Sequence, residues 1–127
     1  MAMSQGKTVV TINVGGTKFT TLWTTLTEVF HESKVARHFI DTPKVTKKYF
    51  RDENTGLVGS RMEECELKDA FLFLDADPVM FAHILNVLRR PELLELSGYT
   101  PVGITGGDWD RELRYWGLRD DSYYELP

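Results

Sequence analysis

The side chains of this sequence that could do chemistry are three histidines, one cysteine, five serines and a few paired acids. His31, His38 and His83 are scattered, and Cys65 stands alone. A structural metal site usually needs four ligands in closely spaced pairs, so no metal is expected. His83 falls off the apolar stripe of its segment and is expected to face solvent. There is no Gly-x-Ser-x-Gly elbow to present a serine nucleophile. Glu63-Glu64 and Asp120-Asp121 read as solvated charge. A nucleophile, a base and a group to orient it cannot be named together. The chain is therefore expected to have no catalytic residues and no cofactor. Gly15-Gly16-Thr17-Lys18 has the look of a phosphate loop. It lacks the four residues between glycines and the Gly-Lys-Ser/Thr ending that a P-loop requires, so it reads as a turn. The remaining candidate is binding. Lys44, Lys47, Lys48 and Arg51 surround Tyr49 and Phe50, and cations with aromatics suit nucleic acid. The same residues also suit a solvated or partner-facing loop.

Composition bounds these readings. The 127 residues are enough for one domain, 42% hydrophobic and 27% charged. A net charge of −4 argues against a general nucleic-acid binder. One cysteine makes no internal disulfide, which suits a reducing compartment. No apolar run approaches a membrane span, and no signal peptide opens the chain. The expected location is the cytosol or the nucleus.

The elements that must position these residues begin with Thr8–Phe19. Val10, Ile12 and Val14 alternate with Val9, Thr11 and Asn13, as in a strand with one apolar face. Gly15-Gly16 can supply the positive φ of a tight hairpin into a second strand at Phe19–Leu22. Thr25 and Glu28 have capping-box spacing, predicting a helix whose face carries Leu26, Val29, Phe30, Ser33, Ala36 and Ile40. Val35 and Phe39 fall off that stripe, so a break near His31 is an alternative. The helix should end by Thr42-Pro43. Residues 43–69 read as a long surface excursion with one short strand at most, turning at Asp52–Gly56. The run Phe71–Leu74 predicts a strand buried on both faces. Asp77-Pro78 starts a helix with Phe81, Ile84, Leu85 and Leu88 on one face, and Arg89-Arg90 then Pro91 end it. Asp108 is expected to cap a last helix with Trp109, Leu113 and Trp116 inward and Gly117 at its end. Helices and strands without strict alternation make an α+β fold.

Several of these blocks together resemble the T1-type BTB/POZ domain. They are Ile12-Asn-Val-Gly-Gly-Thr-Lys-Phe19, Thr24-Thr-Leu26, Phe73-Leu-Asp-Ala-Asp-Pro78, Ile84-Leu-Asn-Val-Leu-Arg89 and Glu112-Leu-Arg-Tyr-Trp-Gly-Leu118. The similar proteins include tetramerisation domains of voltage-gated potassium channels and the KCTD proteins. The resemblance implies a small sheet flanked by helices, self-association into a tetramer or pentamer, and, through the KCTD likeness, an adaptor that binds cullin-3 for a ubiquitin ligase. A channel T1 domain is one alternative, and a nucleic-acid-associated module using residues 44–51 is another. Zinc sites between channel T1 subunits use one histidine and three cysteines, a set that Cys65 alone cannot supply. The excursion at 43–69 is longer than the similar proteins have there.

The expected layout is a leader at 1–6, a domain at 7–120 and a tail at 121–127 leading to a missing remainder. Tyr123-Tyr124 would begin that contact or lie in a loose end. Thr8, Thr11 and Asn13 make the mixed face of the first strand. A neighbouring copy could cover it, with Thr20, Thr25, Asp75, Arg89 and Arg90 in matching contacts. A solvated sheet face is the other reading. Lys44, Lys47, Lys48, Tyr49, Phe50 and Arg51 are the partner-loop candidates.

Overall fold

The computed structural model describes residues 7–119. Five strands and four helices follow in the order β1 (Val9–Val14), β2 (Thr17–Leu22), α1 (Trp23–Thr27), α2 (Lys34–Asp41), β3 (Val45–Arg51), β4 (Val58–Glu64), β5 (Leu72–Leu74), α3 (Pro78–Arg89) and α4 (Gly106–Tyr115). β1 is the centre of a three-stranded sheet. It pairs antiparallel with β2 from Val9↔Leu22 to Val14↔Thr17, and parallel with β5 from Ile12↔Leu72 to Val14↔Leu74. β3 and β4 form a separate antiparallel ribbon, from Val45↔Glu64 to Arg51↔Val58. The fold is α+β, a small sheet flanked by helices.

The β1–β2 turn is the two-glycine hairpin that the sequence predicts. Gly15 and Gly16 have φ of 55° and 101°. Two positive φ values give the twist that a two-residue hairpin needs. Asn13 Oδ1 accepts from Gly16 N at 2.8 Å and closes the turn. Gly15 also lets two chain segments meet. Its amide donates to Leu74 O at 3.1 Å, and a Cβ here would collide with the Ala76 carbonyl oxygen.

The inner sheet face carries Val10, Ile12, Val14, Leu72 and Leu74, all buried. α3 supplies Phe81, Ile84, Leu85, Val87 and Leu88 to the same core. Asp77 caps it by accepting from Val79 N at 3.1 Å, with Pro78 in the first turn. α4 closes the other side with Trp109 and Leu113, followed by Trp116 and Leu118. Aromatic edges lock these layers: Phe19 meets Phe81 at 5.6 Å between ring centres, and Phe81 meets Trp116 at 6.4 Å. His83 is half-buried against the edge of Trp109, where the sequence placed it in solvent.

Other expectations are corrected by packing. The Thr25–Glu28 capping box does not form, because α1 already starts at Trp23. Trp23 N donates to Thr8 O at 2.9 Å, so the residue leading into β1 satisfies the first amide of the turn. The segment from Leu26 to Ile40 is two helices, broken before Ser33, whose hydroxyl accepts from Ala36 N. The new start rotates the stripe. Val35, Ala36 and Phe39 face the core, and Ile40 is 45% exposed. α4 is capped by Thr105 rather than Asp108, because Thr105 Oγ1 accepts from Asp108 N. The excursion at 43–69 holds two seven-residue strands. Its residues show little alternation because the ribbon stands away from the core, and neither face is deeply buried. β5 is buried on one face only: Leu72 and Leu74 point inward, while Phe71 and Phe73 are exposed.

Gly15→Ala places an L side chain at positive φ against a backbone carbonyl. Urea unfolding is expected to show a loss of about 2 kcal/mol or more, because left-handed strain adds to displacement of the Ala76 segment. The same substitution at Gly16, where a Cβ meets nothing, carries the φ strain without the collision and is expected to cost less.

Candidate interaction surfaces

Two neighbouring surfaces gather the residues that the sequence singles out. The first is the outer face of the three-stranded sheet. Register places Val9, Thr11 and Asn13 of β1 beside Leu22, Thr20 and Lys18 of β2 on this face. β5 adds Phe73, with Phe71 just before it. The hydroxyls of Thr11 and Thr20 meet at 3.2 Å across the strands. Around them Val9, Leu22, Phe71 and Phe73 are 60%, 41%, 56% and 43% exposed. Phe71 and Phe73 stack with rings 6.5 Å apart and nearly parallel. A face with this much exposed apolar surface is unusual for a free surface of a small domain.

A helix side chain caps one carbonyl on each edge of this sheet. Arg89 Nη2 donates to Thr20 O of β2 at 2.9 Å. On the opposite edge His38 Nε2 donates to Phe73 O of β5 at 2.8 Å, which places the ring proton on Nε2. Thr11, Thr20 and Arg89, all interface candidates, are thus brought together. The other candidates sit differently. Thr8 has the parity of the inner face and lies half-buried at the start of β1. Thr25 is half-buried inside α1. Asn13 is half-buried, with its side-chain oxygen committed to the turn. Asp75 lines an acidic hollow of about 150 Å³ with Asp77 and Glu112. Arg90 pairs with Glu92 at 3.6 Å at the far end of α3. Sequence reasoning missed Val9, Leu22, Phe71 and Phe73. For the two phenylalanines the signal was the apolar run Phe71–Leu74, which promised cover on both faces where the described chain provides it on one.

The second surface is the β3–β4 ribbon. It turns at Asp52, whose carboxylate accepts from Asn54 N and Thr55 N, with Gly56 at φ 73°. Phe50 lies across Gly59, the one cross-strand partner with no side chain to displace it. Arg61 covers the same ring at 5.7 Å and pairs with Glu63 at 2.6 Å. The other face carries Lys47, Tyr49 and Arg51 opposite Met62, Ser60 and Val58. A hollow of about 510 Å³ lies between Tyr49, Met62 and Phe71, with Thr46 and Lys47 at its rim. Phe71 therefore belongs to both surfaces. The expected partner loop is in fact a strand.

Lys44 leaves that set. Its ammonium donates to Phe39 O at 2.6 Å and Thr42 O at 2.8 Å, within reach of Ile40 O, and sits 4.9 Å above the Trp23 ring. It closes the C-terminus of α2, where a cation is favoured. Burial in this seat pushes its pKa below the usual amine value, with Asp41 opposing the shift. Among the described residues, no group of three or more His, Cys, Asp or Glu is arranged to hold a metal. Asp120-Asp121 and Tyr123-Tyr124 lie outside the described residues.

A family profile described as BTB/POZ domain matches residues 10–125. A mouse (Mus musculus) protein named potassium channel regulatory protein is 34% identical over 94 residues, 74% of this chain and 28% of the relative. The chain spans 28% of the length of that relative.

Lys44→Met keeps the aliphatic stem over Trp23 and removes the donor. The C-terminal carbonyls of α2 then lose their partner, and urea unfolding is expected to show a loss of about 1–3 kcal/mol.

Proposed function

The chain belongs to the BTB/POZ family of protein–protein interaction and oligomerisation domains, and from that membership we propose that it is a homo-oligomerising adaptor for a cullin-3-type ubiquitin ligase, acting without a reaction of its own. The observation that carries the self-association reading is the outer sheet face. Four large apolar side chains stand exposed around the Thr11–Thr20 hydroxyl pair. Removing such area from water stabilises by roughly 25 cal/mol per Å², and a second copy brings a surface of the same kind. Thr11, Asn13 and Thr20 are the polar contacts of that surface. The resemblance to channel T1 domains and KCTD proteins implies four or five copies.

The likeness to KCTD proteins supports the cullin-3 half of the reading. The printed name of the mouse relative supports a second reading, an oligomer that acts on potassium-channel subunits. Among the described residues no helix is long and apolar enough to cross a membrane. The cytosol is the compartment in which both readings place the domain.

Light scattering at about 100 micromolar, well above the dissociation constants of stable assemblies, is expected to give four or five times the 14.6 kDa chain mass. A monomer mass removes the self-association reading. Phe73→Asp is expected to weaken assembly at least about tenfold while costing the monomer no more than about 1–2 kcal/mol, the loss of its stacking on Phe71 and of a strand-favouring side chain. The cullin-3 N-terminal region is expected to co-elute with the oligomer in the micromolar range. Separate elution at tens of micromolar rejects the ligase half and leaves the oligomer standing.

A further inference from the structure

Each edge of the three-stranded sheet has one outward carbonyl capped by a helix side chain, Thr20 O of β2 by Arg89 and Phe73 O of β5 by His38. Covering an edge with side chains is one way a fold keeps its sheet from pairing with other chains. β3 is different. The bonds from Cys65 N to Lys44 O and from Asp52 N to Leu57 O bracket the β3–β4 ladder. Hydrogen-bonded pairs alternate along an antiparallel ladder. Thr46, Lys48 and Phe50 therefore bond inward to Glu63, Arg61 and Gly59. Lys47, Tyr49 and Arg51 turn their backbone N–H and C=O outward. Val45 O points the same way and accepts from Phe71 N. Beyond it, among the described residues, no strand pairs with this edge.

The side chains along the open edge have a pattern. Lys47, Tyr49 and Arg51 occupy alternate positions on one face, and the hollow of about 510 Å³ lies beside Tyr49, Met62 and Phe71. Tyr49 is 72% and Met62 53% exposed.

We propose that the outer edge of β3 binds an extended peptide of a partner protein by strand addition, the peptide carrying one large apolar residue between two acidic residues at alternate positions. On an added strand, the residue opposite Tyr49 projects on the same face and enters the hollow. Its neighbours two positions away fall opposite Lys47 and Arg51, where carboxylates complete cross-strand ion pairs. Main-chain bonds supply the affinity, and the hollow with its two cations sets the sequence. Single-stranded nucleic acid would use the same aromatics and cations. It would leave the outward N–H and C=O groups unpaired, and the nearby Glu63 and Glu64 with a net charge of −4 oppose phosphate.

The test is selection of random nine-residue peptides on the full-length oligomer. The expected result is enrichment of an acid-x-apolar-x-acid spacing, with binding weakened about tenfold by Lys47→Glu plus Arg51→Glu at unchanged oligomer mass, since each tenfold is only about 1.4 kcal/mol. N-methylation of an enriched peptide is expected to abolish binding at one alternate set of residues and spare it at the other, a signature of strand pairing. Enriched peptides without flanking acids, or binding indifferent to N-methylation, overturn the proposal. So does tighter binding of a mixed-sequence single-stranded RNA to the same edge. A changed oligomer mass in the Lys47→Glu plus Arg51→Glu variant assigns the edge to contact between copies instead. The chain's own Asp121-Ser-Tyr-Tyr-Glu125 has the same spacing. If Tyr123→Ser raises peptide affinity in the full chain, that segment is the occupant and the partner reading fails.

Discussion

The structure depends on hydrogen bonding at both edges of one six-residue strand. β1 pairs with β2 through a local hairpin and with β5 across a sequence separation of about sixty residues. The parallel pairing is the demanding one, because loop-closure entropy must be met before any contact forms. It is held by a cluster at one point. Gly15 donates to Leu74 O and lies against the Ala76 carbonyl, and two residues later Pro78 opens α3. The turn between the first two strands thus meets the point where the last strand ends and the central helix begins. A glycine first legible as a hairpin residue is also a contact between distant parts of the chain.

From that centre the molecule treats its exposed backbone in two ways. The three-stranded sheet ends in side-chain bonds, Arg89 to β2 and His38 to β5. Its outer face, rather than its edges, is what it offers. The ribbon of β3 and β4 offers an edge and a hollow. The two surfaces share Phe71, which stacks on Phe73 and also walls the hollow with Tyr49 and Met62. An event at one surface therefore meets a side chain of the other. The charged residues of this region are partly committed elsewhere. Lys44 is spent on the end of α2, and Arg61 is shared between Glu63 and the Phe50 ring.

Sequence alone determined the parts governed by local rules. The Gly15-Gly16 hairpin, the Asp77-Pro78 helix start, the inward stripe of α3, the Trp109–Leu113–Trp116 face and the α+β class all follow from periodicity, capping and φ preference within a few residues. The ordered blocks carried the family resemblance as well. Tertiary structure decided what depends on distant neighbours. It set the helix starts at Trp23, Lys34 and Gly106, because the amide of Trp23 found Thr8 and the hydroxyls of Ser33 and Thr105 were placed to cap. It made a two-stranded ribbon of residues whose exposure on both faces erased the period-two signal. It left Phe71 and Phe73 outside and drew Lys44 inward. Burial is a property of what packs against a residue from elsewhere in the chain, and an isolated stretch of sequence does not carry that information.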